Sequence, residues 1–242
     1  MKLKYEKLLP RSSIIKNCIL FMHGLGDTPA GFGSLFKHLQ TSPETAKIFE
    51  NTVIILPYSP KQAVTANGGY VMPSWFDIKS FNSDEPNRYG LDQYTKSLEM
   101  VTDLVSDVQQ EYQIENGKFI IGGFSQGGSL SLSSNLFMKE KIGGVICLSG
   151  FNVWDSPSNP QLVSYLEQLS PEAKNIPVFH GTGDSDPLIS LKRATDTKEF
   201  FTKTINSLNA ENYSFNIYED VAHHTDPEEL SQMSEFVDKV FN

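Results

Sequence analysis

Six short apolar runs, each followed by a longer amphipathic stretch, constrain this chain more than any other feature. They fall at Ile19 to Met22, Val53 to Leu56, Phe119 to Gly122, Val145 to Leu148, Val178 to His180 and Ser214 to Tyr218. Most are apolar at successive positions. A strand shows that pattern when both of its faces are covered, so the runs predict a mostly parallel sheet with helices on each side. Between them, Leu91, Tyr94, Leu98, Val101, Leu104 and Val108 recur at helical spacing and form one stripe. Leu191, Ala194, Phe201, Ile205 and Leu208 form a second. A last helix opens at Asp226-Pro227-Glu228-Glu229, with a cap, a proline in the first turn and a glutamate three residues after the cap. It is expected to bury Leu230, Met233, Val237 and Val240 and to close the domain.

At 242 residues, with no internal repeat or linker, the chain reads as one domain over 1–242. Such a length buries enough surface to need no metal or disulfide staple. Only residues 57–90 break the alternation. They are rich in Pro, Gly, Asn and Ser, with Tyr58, Tyr70, Trp75, Phe76, Phe81 and Tyr89 among them. A stretch of that kind is either a lid-like binding loop or a surface meander with its aromatics tucked inward. Twenty Lys and Arg stand against 29 Asp and Glu, a net charge of −9, which repels phosphate backbones and argues against nucleic-acid binding. No apolar run is long enough to span a bilayer, so stable membrane insertion is not expected. The first residues lack the apolar core of a signal peptide, which predicts a cytoplasmic protein. Cys18 and Cys147 each lie inside an apolar run and read as core residues rather than metal ligands.

Gly123-Phe124-Ser125-Gln126-Gly127 follows one apolar run and precedes the small residues Gly128-Ser129-Leu130-Ser131. G-x-S-x-G alone is a weak signal. Placed between a strand and a helix it describes a sharp elbow, with glycines flanking a serine whose hydroxyl is exposed at the end of the sheet. A serine needs a base, and the base needs an acid to hold its tautomer. Both are available in the order such an elbow predicts. Asp184 and Asp186 follow the run ending at His180, and His223 and His224 follow the run ending at Tyr218. Asp186, stiffened by Pro187 and flanked by Leu188-Ile189, is the better acid, whereas Asp184 reads as a turn residue. Periodicity leaves the choice between His223 and His224 open. His38 reads as solvated, and His23 and His180 as braces for loops. An oxyanion needs preorganised N–H donors. The amide of Gln126 and that of Leu25, in the glycine-rich turn His23-Gly24-Leu25-Gly26-Asp27, are the candidates.

Four blocks, Phe21-Met22-His23-Gly24-Leu25-Gly26-Asp27-Thr28, Val71-Met72-Pro73-Ser74-Trp75-Phe76-Asp77-Ile78, Gly122 to Gly128, and Asp184-Ser185-Asp186-Pro187-Leu188 with the later Tyr218-Glu219 and His223, resemble the acyl-protein thioesterase and lysophospholipase-carboxylesterase family, specifically its fungal members. The resemblance implies an α/β-hydrolase fold with Ser125 as nucleophile, Asp186 as acid, His223 as base, and oxyanion donors at Leu25 and Gln126. It also implies an acyl channel lined by Trp75, Phe76, Phe81, Phe151 and Leu188, which favours the lid-like reading of 57–90. The implied reaction is hydrolysis of long-chain S-acyl cysteine on proteins, with no metal or organic cofactor. The implied partners are S-acylated proteins at the cytoplasmic membrane leaflet, with a nuclear pool and a weak homodimer also compatible. A broad carboxylesterase or lysophospholipase is the alternative within enzymes, and a non-catalytic acyl-binding receptor the alternative outside them. Phe32 stands where many members carry tryptophan, and His224 where many carry a non-histidine.

Overall fold

The computed structural model describes residues 2–82, 85–138 and 141–242. Met1, at the head of the segment read for a signal peptide, and residues 83–84, inside the 57–90 stretch, lie outside them. Seven strands form one sheet: β1 (Tyr5–Leu8), β2 (Asn17–Met22), β3 (Thr52–Pro57), β6 (Phe119–Phe124), β7 (Gly144–Leu148), β8 (Val178–Gly183) and β9 (Tyr213–Tyr218). Their order is β1-β3-β2-β6-β7-β8-β9. The six expected strands are all present and mutually parallel, and β1 adds an antiparallel edge against β3. Its partly exposed Tyr5-Glu6-Lys7-Leu8, with two charged residues at the centre, carries no apolar run, so the pattern that finds buried strands passes over it.

Side chains alternate across β2. Ile19 and Phe21 face a layer with Phe32 and Phe36 of α1 (Pro29–Leu39) and Met233 and Val237 of α7 (Pro227–Phe241). Cys18, Leu20 and Met22 face the other layer, with the stripe of α2 (Leu91–Tyr112) and with Leu130 and Leu132 of α3 (Gln126–Ser133). Helices α4 (Pro160–Gln168), α5 (Pro171–Lys174) and α6 (Leu191–Glu199) complete the chain, and α6 runs on into a π-helical turn over Phe200–Thr204. The capping box at Asp226 and Glu229 is formed. Within α7 the buried apolar positions are Met233, Val237 and Phe241, while Leu230 and Val240 lie at the margin of that cluster, so the stripe is rotated from the expected one.

The described residues of the 57–90 stretch are folded. It carries an antiparallel hairpin of β4 (Lys61–Val64) and β5 (Tyr70–Pro73), followed by an isolated bridge between Ile78 and Tyr89. Asp77 holds the hairpin, its carboxylate accepting from the Thr65 amide at 2.8 Å and the Thr65 hydroxyl at 2.7 Å. The chain runs from β2 outward to β3 and then returns across to β6. The carboxyl ends of β2 and β6 therefore flank the switch point of the sheet, where open α/β sheets bind ligands.

Candidate active site

Ser125 stands in the bend between β6 and α3 with φ 55° and ψ −113°, a backbone conformation that L residues avoid. The flanking glycines let the bend close. A Cβ on Gly123 would sit 2.3 Å from the Gly127 carbonyl carbon, and one on Gly127 would sit 2.2 Å from the Met22 carbonyl oxygen. The elbow thus presses α3 against β2 and β6 and presents the Ser125 hydroxyl above them.

Three distant loops converge there. The imidazole Nε2 of His223 lies 3.1 Å from Ser125 Oγ, and its Nδ1 lies 2.7 Å from Asp186 Oδ2. The other carboxylate oxygen of Asp186 accepts the amides of Leu188 and Ile189, both at 2.8 Å. Burial pushes the Asp186 carboxyl upward, but the hydrogen bond and charge of His223 and the two amides outweigh it and hold the group below the usual aspartate value. With its side chain fully buried, Asp186 is an anion aimed at Nδ1, which fixes the proton there and leaves Nε2 as acceptor. Phe124 packs on the other side of the imidazole, with ring centroids 4.8 Å apart.

The contacts fall on Asp186, the acid favoured above, and on His223 of the two histidines that periodicity leaves open. Asp184 is exposed and shapes the turn, its Oδ1 accepting the Asp220 amide and the Ser185 hydroxyl. His224 is exposed beside the Thr225 carbonyl. His23 braces a loop as expected, with Nδ1 2.7 Å from the Gly24 carbonyl oxygen and Nε2 accepting the Ser59 amide. His180 instead bridges two strands through Tyr213, and burial, with a smaller contribution from the charge of Lys198, pulls its pKa down to about 3.

On the β2 side, Gly24 approaches so closely that a Cβ there would touch Ser125 Cβ at 3.4 Å. Beyond it, the Gly26 amide is given to the Pro73 carbonyl and the Asp27 amide to the Gly24 carbonyl. The amides of Leu25, between them, and of Gln126, the first residue of α3, have no backbone partner among the described residues. Both belong to residues lining the cavity at Ser125, where the helix dipole adds positive potential.

That cavity, about 480 Å³, opens over Ser125 and His223. Phe81, Phe151 and Leu188 line it as expected. Trp75 and Phe76 do not: both are completely buried beneath it. The Trp75 indole donates to the His23 carbonyl at 2.9 Å. The Gln126 side chain accepts the Trp75 amide at 3.0 Å and donates to the Phe76 carbonyl at 2.8 Å, which clamps this segment to the start of α3. Phe76 supports the wall from behind through edge contacts to Tyr89 and Phe151. An apolar side chain in a loop serves equally well as lining or as buttress, and sequence alone does not separate the two. Ile78, Arg88, Tyr89 and Arg193 line the cavity without having been singled out as site residues. Tyr89 was legible as one of the loop aromatics, whereas Arg193 reads as an ordinary helix-surface cation. Among the described residues no group of three or more His, Cys, Asp or Glu side chains is placed to hold a metal ion.

A family model described as Phospholipase/Carboxylesterase matches residues 5–241. The chain belongs to this family. An acyl-protein thioesterase 1 of Debaryomyces hansenii is 36% identical to it over 225 residues, covering 93% of this chain and 91% of that protein. One of Saccharomyces cerevisiae is 35% identical, covering 93% and 92%. Among solved structures, Arabidopsis thaliana SOBER1 superposes with a TM-score of 0.79 at 24% identity, covering 94% of this chain and all of that one. Zea mays acyl-protein thioesterase 2 does so at 0.77 and 23%, covering 99% of each. The fold is that of the α/β hydrolases, as the four sequence blocks imply.

Proposed function

We propose that this protein is a serine hydrolase that removes thioester-linked long-chain acyl groups from protein cysteines. The observation that carries the reading is the continuous relay Asp186–His223–Ser125, with contacts of 2.7 and 3.1 Å, opening on a cavity with an apolar wall. The fungal relatives named acyl-protein thioesterase 1 supply the substrate class. His223 Nε2 accepts the Ser125 proton as Oγ attacks the thioester carbonyl, and Asp186 stabilises the imidazolium that results. The oxyanion is received by the amides of Leu25 and Gln126. Collapse of the tetrahedral adduct breaks the C–S bond while the His223 imidazolium gives its proton to the leaving sulfur, releasing the cysteine thiol, whose pKa of about 8.5 makes it an undemanding leaving group. Water, deprotonated by His223, then cleaves the Ser125 ester and frees the fatty acid. Phe81 and Leu188, large apolar side chains about 60% exposed at the cavity rim, suit contact with an acyl chain. No helix among the described residues is long and apolar enough to cross a membrane, and acylated proteins would be met transiently at the cytoplasmic leaflet.

The test compares kcat/KM for a palmitoylated cysteine peptide, a short aryl ester and a lysophospholipid. The peptide is expected to be turned over best, with fluorophosphonate labelling lost in Ser125→Ala. Turnover of the short ester alone would leave a general carboxylesterase, a reading that the family description favours. Equal labelling of the wild type and Ser125→Ala would remove the enzymatic role of this serine.

A further inference from the structure

Two cations in the cavity wall, Arg193 and Arg88, are not used by the chemistry above. The guanidinium of Arg193 lies 4.2 Å from the centroid of the Phe151 ring and 5.4 Å from that of Tyr89, both cavity-lining residues. Arg88 reaches the same Tyr89 ring at 5.2 Å and lines the same cavity. The aromatic faces hold Arg193 in place but do not neutralise it. Its position is electrostatically adverse in three ways. It is half-buried, it faces the like charge of Arg88, and it occupies the first turn of α6, where the helix dipole favours anions. Burial, with a smaller contribution from Arg88, pulls its pKa down to about 9, which leaves it a cation at neutral pH.

Among the described residues Arg193 forms no salt bridge. Among the described residues, Asp27 is the carboxylate that lines the cavity and Asp186 stands behind His223, and both are engaged. Asp186 is held by His223 and the Leu188 and Ile189 amides. Asp27 accepts the Thr28 amide at the start of α1. Arg88 is itself engaged, donating to the Asn82 carbonyl and the Tyr89 hydroxyl. The guanidinium fork of Arg193 thus has donors to offer a ligand, and a planar carboxylate is the group it matches.

We propose that Arg193 is a specificity-determining residue, forming a carboxylate subsite in the cavity that selects acyl substrates bearing a negative charge beyond the scissile bond. The inference rests on the hydrolase reading above and refines its substrate class. The carboxylate has two sources, an acidic residue beside the acylated cysteine or a terminal carboxyl on the acyl chain.

Two matched substrate pairs separate them. The first is a palmitoyl-cysteine peptide with Glu next to the cysteine against the same peptide with Gln. The second is an octanoyl thioester of a neutral thiol against its ω-carboxylated counterpart. In one pair the wild-type enzyme is expected to favour the carboxylate by about tenfold or more in kcat/KM, the range of a hydrogen bond to a charged group. Arg193→Gln should abolish that preference, and Arg193→Lys should retain part of it. Which pair shows the effect names the source. No preference in either pair with wild-type enzyme, or a preference that survives in Arg193→Gln, overturns the proposal. Turnover of the neutral substrates without charge selection leaves the hydrolase reading standing. Absence of turnover with all four substrates removes both.

Discussion

Replacing Asp186 by Asn separates the electrostatic role of this carboxylate from its structural one. In the Asn variant, Oδ1 can still accept the Leu188 and Ile189 amides, so the loop keeps both of its 2.8 Å anchors. The group facing His223 Nδ1 then becomes an amide NH2, a donor where Oδ2 accepted at 2.7 Å. Two donors cannot share that contact, so the imidazole moves its proton to Nε2, the nitrogen 3.1 Å from Ser125 Oγ. A protonated Nε2 cannot act as base. Losses of about 10⁴-fold in kcat accompany this change of tautomer in serine triads, equivalent to about 5.5 kcal/mol of barrier. Stability should change by only about 1 kcal/mol, since one hydrogen bond is altered and none of the amides is stranded. Asp186→Ala strands both amides and should unfold at a lower temperature. Acid makes a second distinction. A carboxyl held below its unfolded pKa contributes stability above that value and loses it as pH falls through the folded one. Wild type should therefore lose this contribution below about pH 4, and Asp186→Asn should not. The assays are steady-state thioester hydrolysis and thermal melting between pH 3 and pH 8. An Asn variant retaining activity within tenfold of wild type would refute the tautomer argument.

Three other perturbations probe different parts of the molecule. Gly127→Ala places a methyl 2.2 Å from the Met22 carbonyl oxygen, backbone that cannot yield cheaply. It should cost about 3 kcal/mol or more, a melting temperature lower by roughly 10 °C, and a change under 2 °C would show that the elbow relaxes. His223→Ala should lower kcat by at least about 10⁴-fold, whereas His224→Ala, exposed and outside the relay, should stay within about twofold, and the reverse outcome would reassign the base. Glu229, buried, has its pKa raised to about 7, chiefly by desolvation and then by the charge of Asp226, although the Asp226 amide opposes the shift. Its stabilising neutral form is fully present below the unfolded value of about 4.3 and is lost as pH rises through 7. Glu229→Gln should therefore raise the melting temperature at pH 8 and change it little at pH 5, and an equal effect at both would contradict the assignment.

Much of the site was legible because its parts are local. G-x-S-x-G reports a bend that larger residues cannot make, and the backbone that a Cβ at Gly123 or Gly127 would strike is that constraint in space. The acid was legible too, since Asp186 accepts the amides of residues two and three positions ahead of it, a contact made within one turn. Other features were not local. Trp75 and Phe76 carry aromatic side chains in a Pro- and Gly-rich stretch, and only their position under α3, clamped by Gln126, shows that they buttress the cavity instead of lining it. The edge strand β1 escaped notice because an edge needs no continuous apolar run.

The chain by itself determined the parallel sheet, the elbow and the order of the three reactive side chains, since each follows from the periodicity of burial or from steric limits on a few neighbouring residues. Tertiary structure brought to Ser125 the histidine that periodicity leaves open and only the resemblance names, and it decided which aromatics face the cavity and that Arg193 turns into it. Those outcomes depend on how loops from separate strand ends are rotated against one another, a relation between segments as far as 98 residues apart that no local pattern encodes.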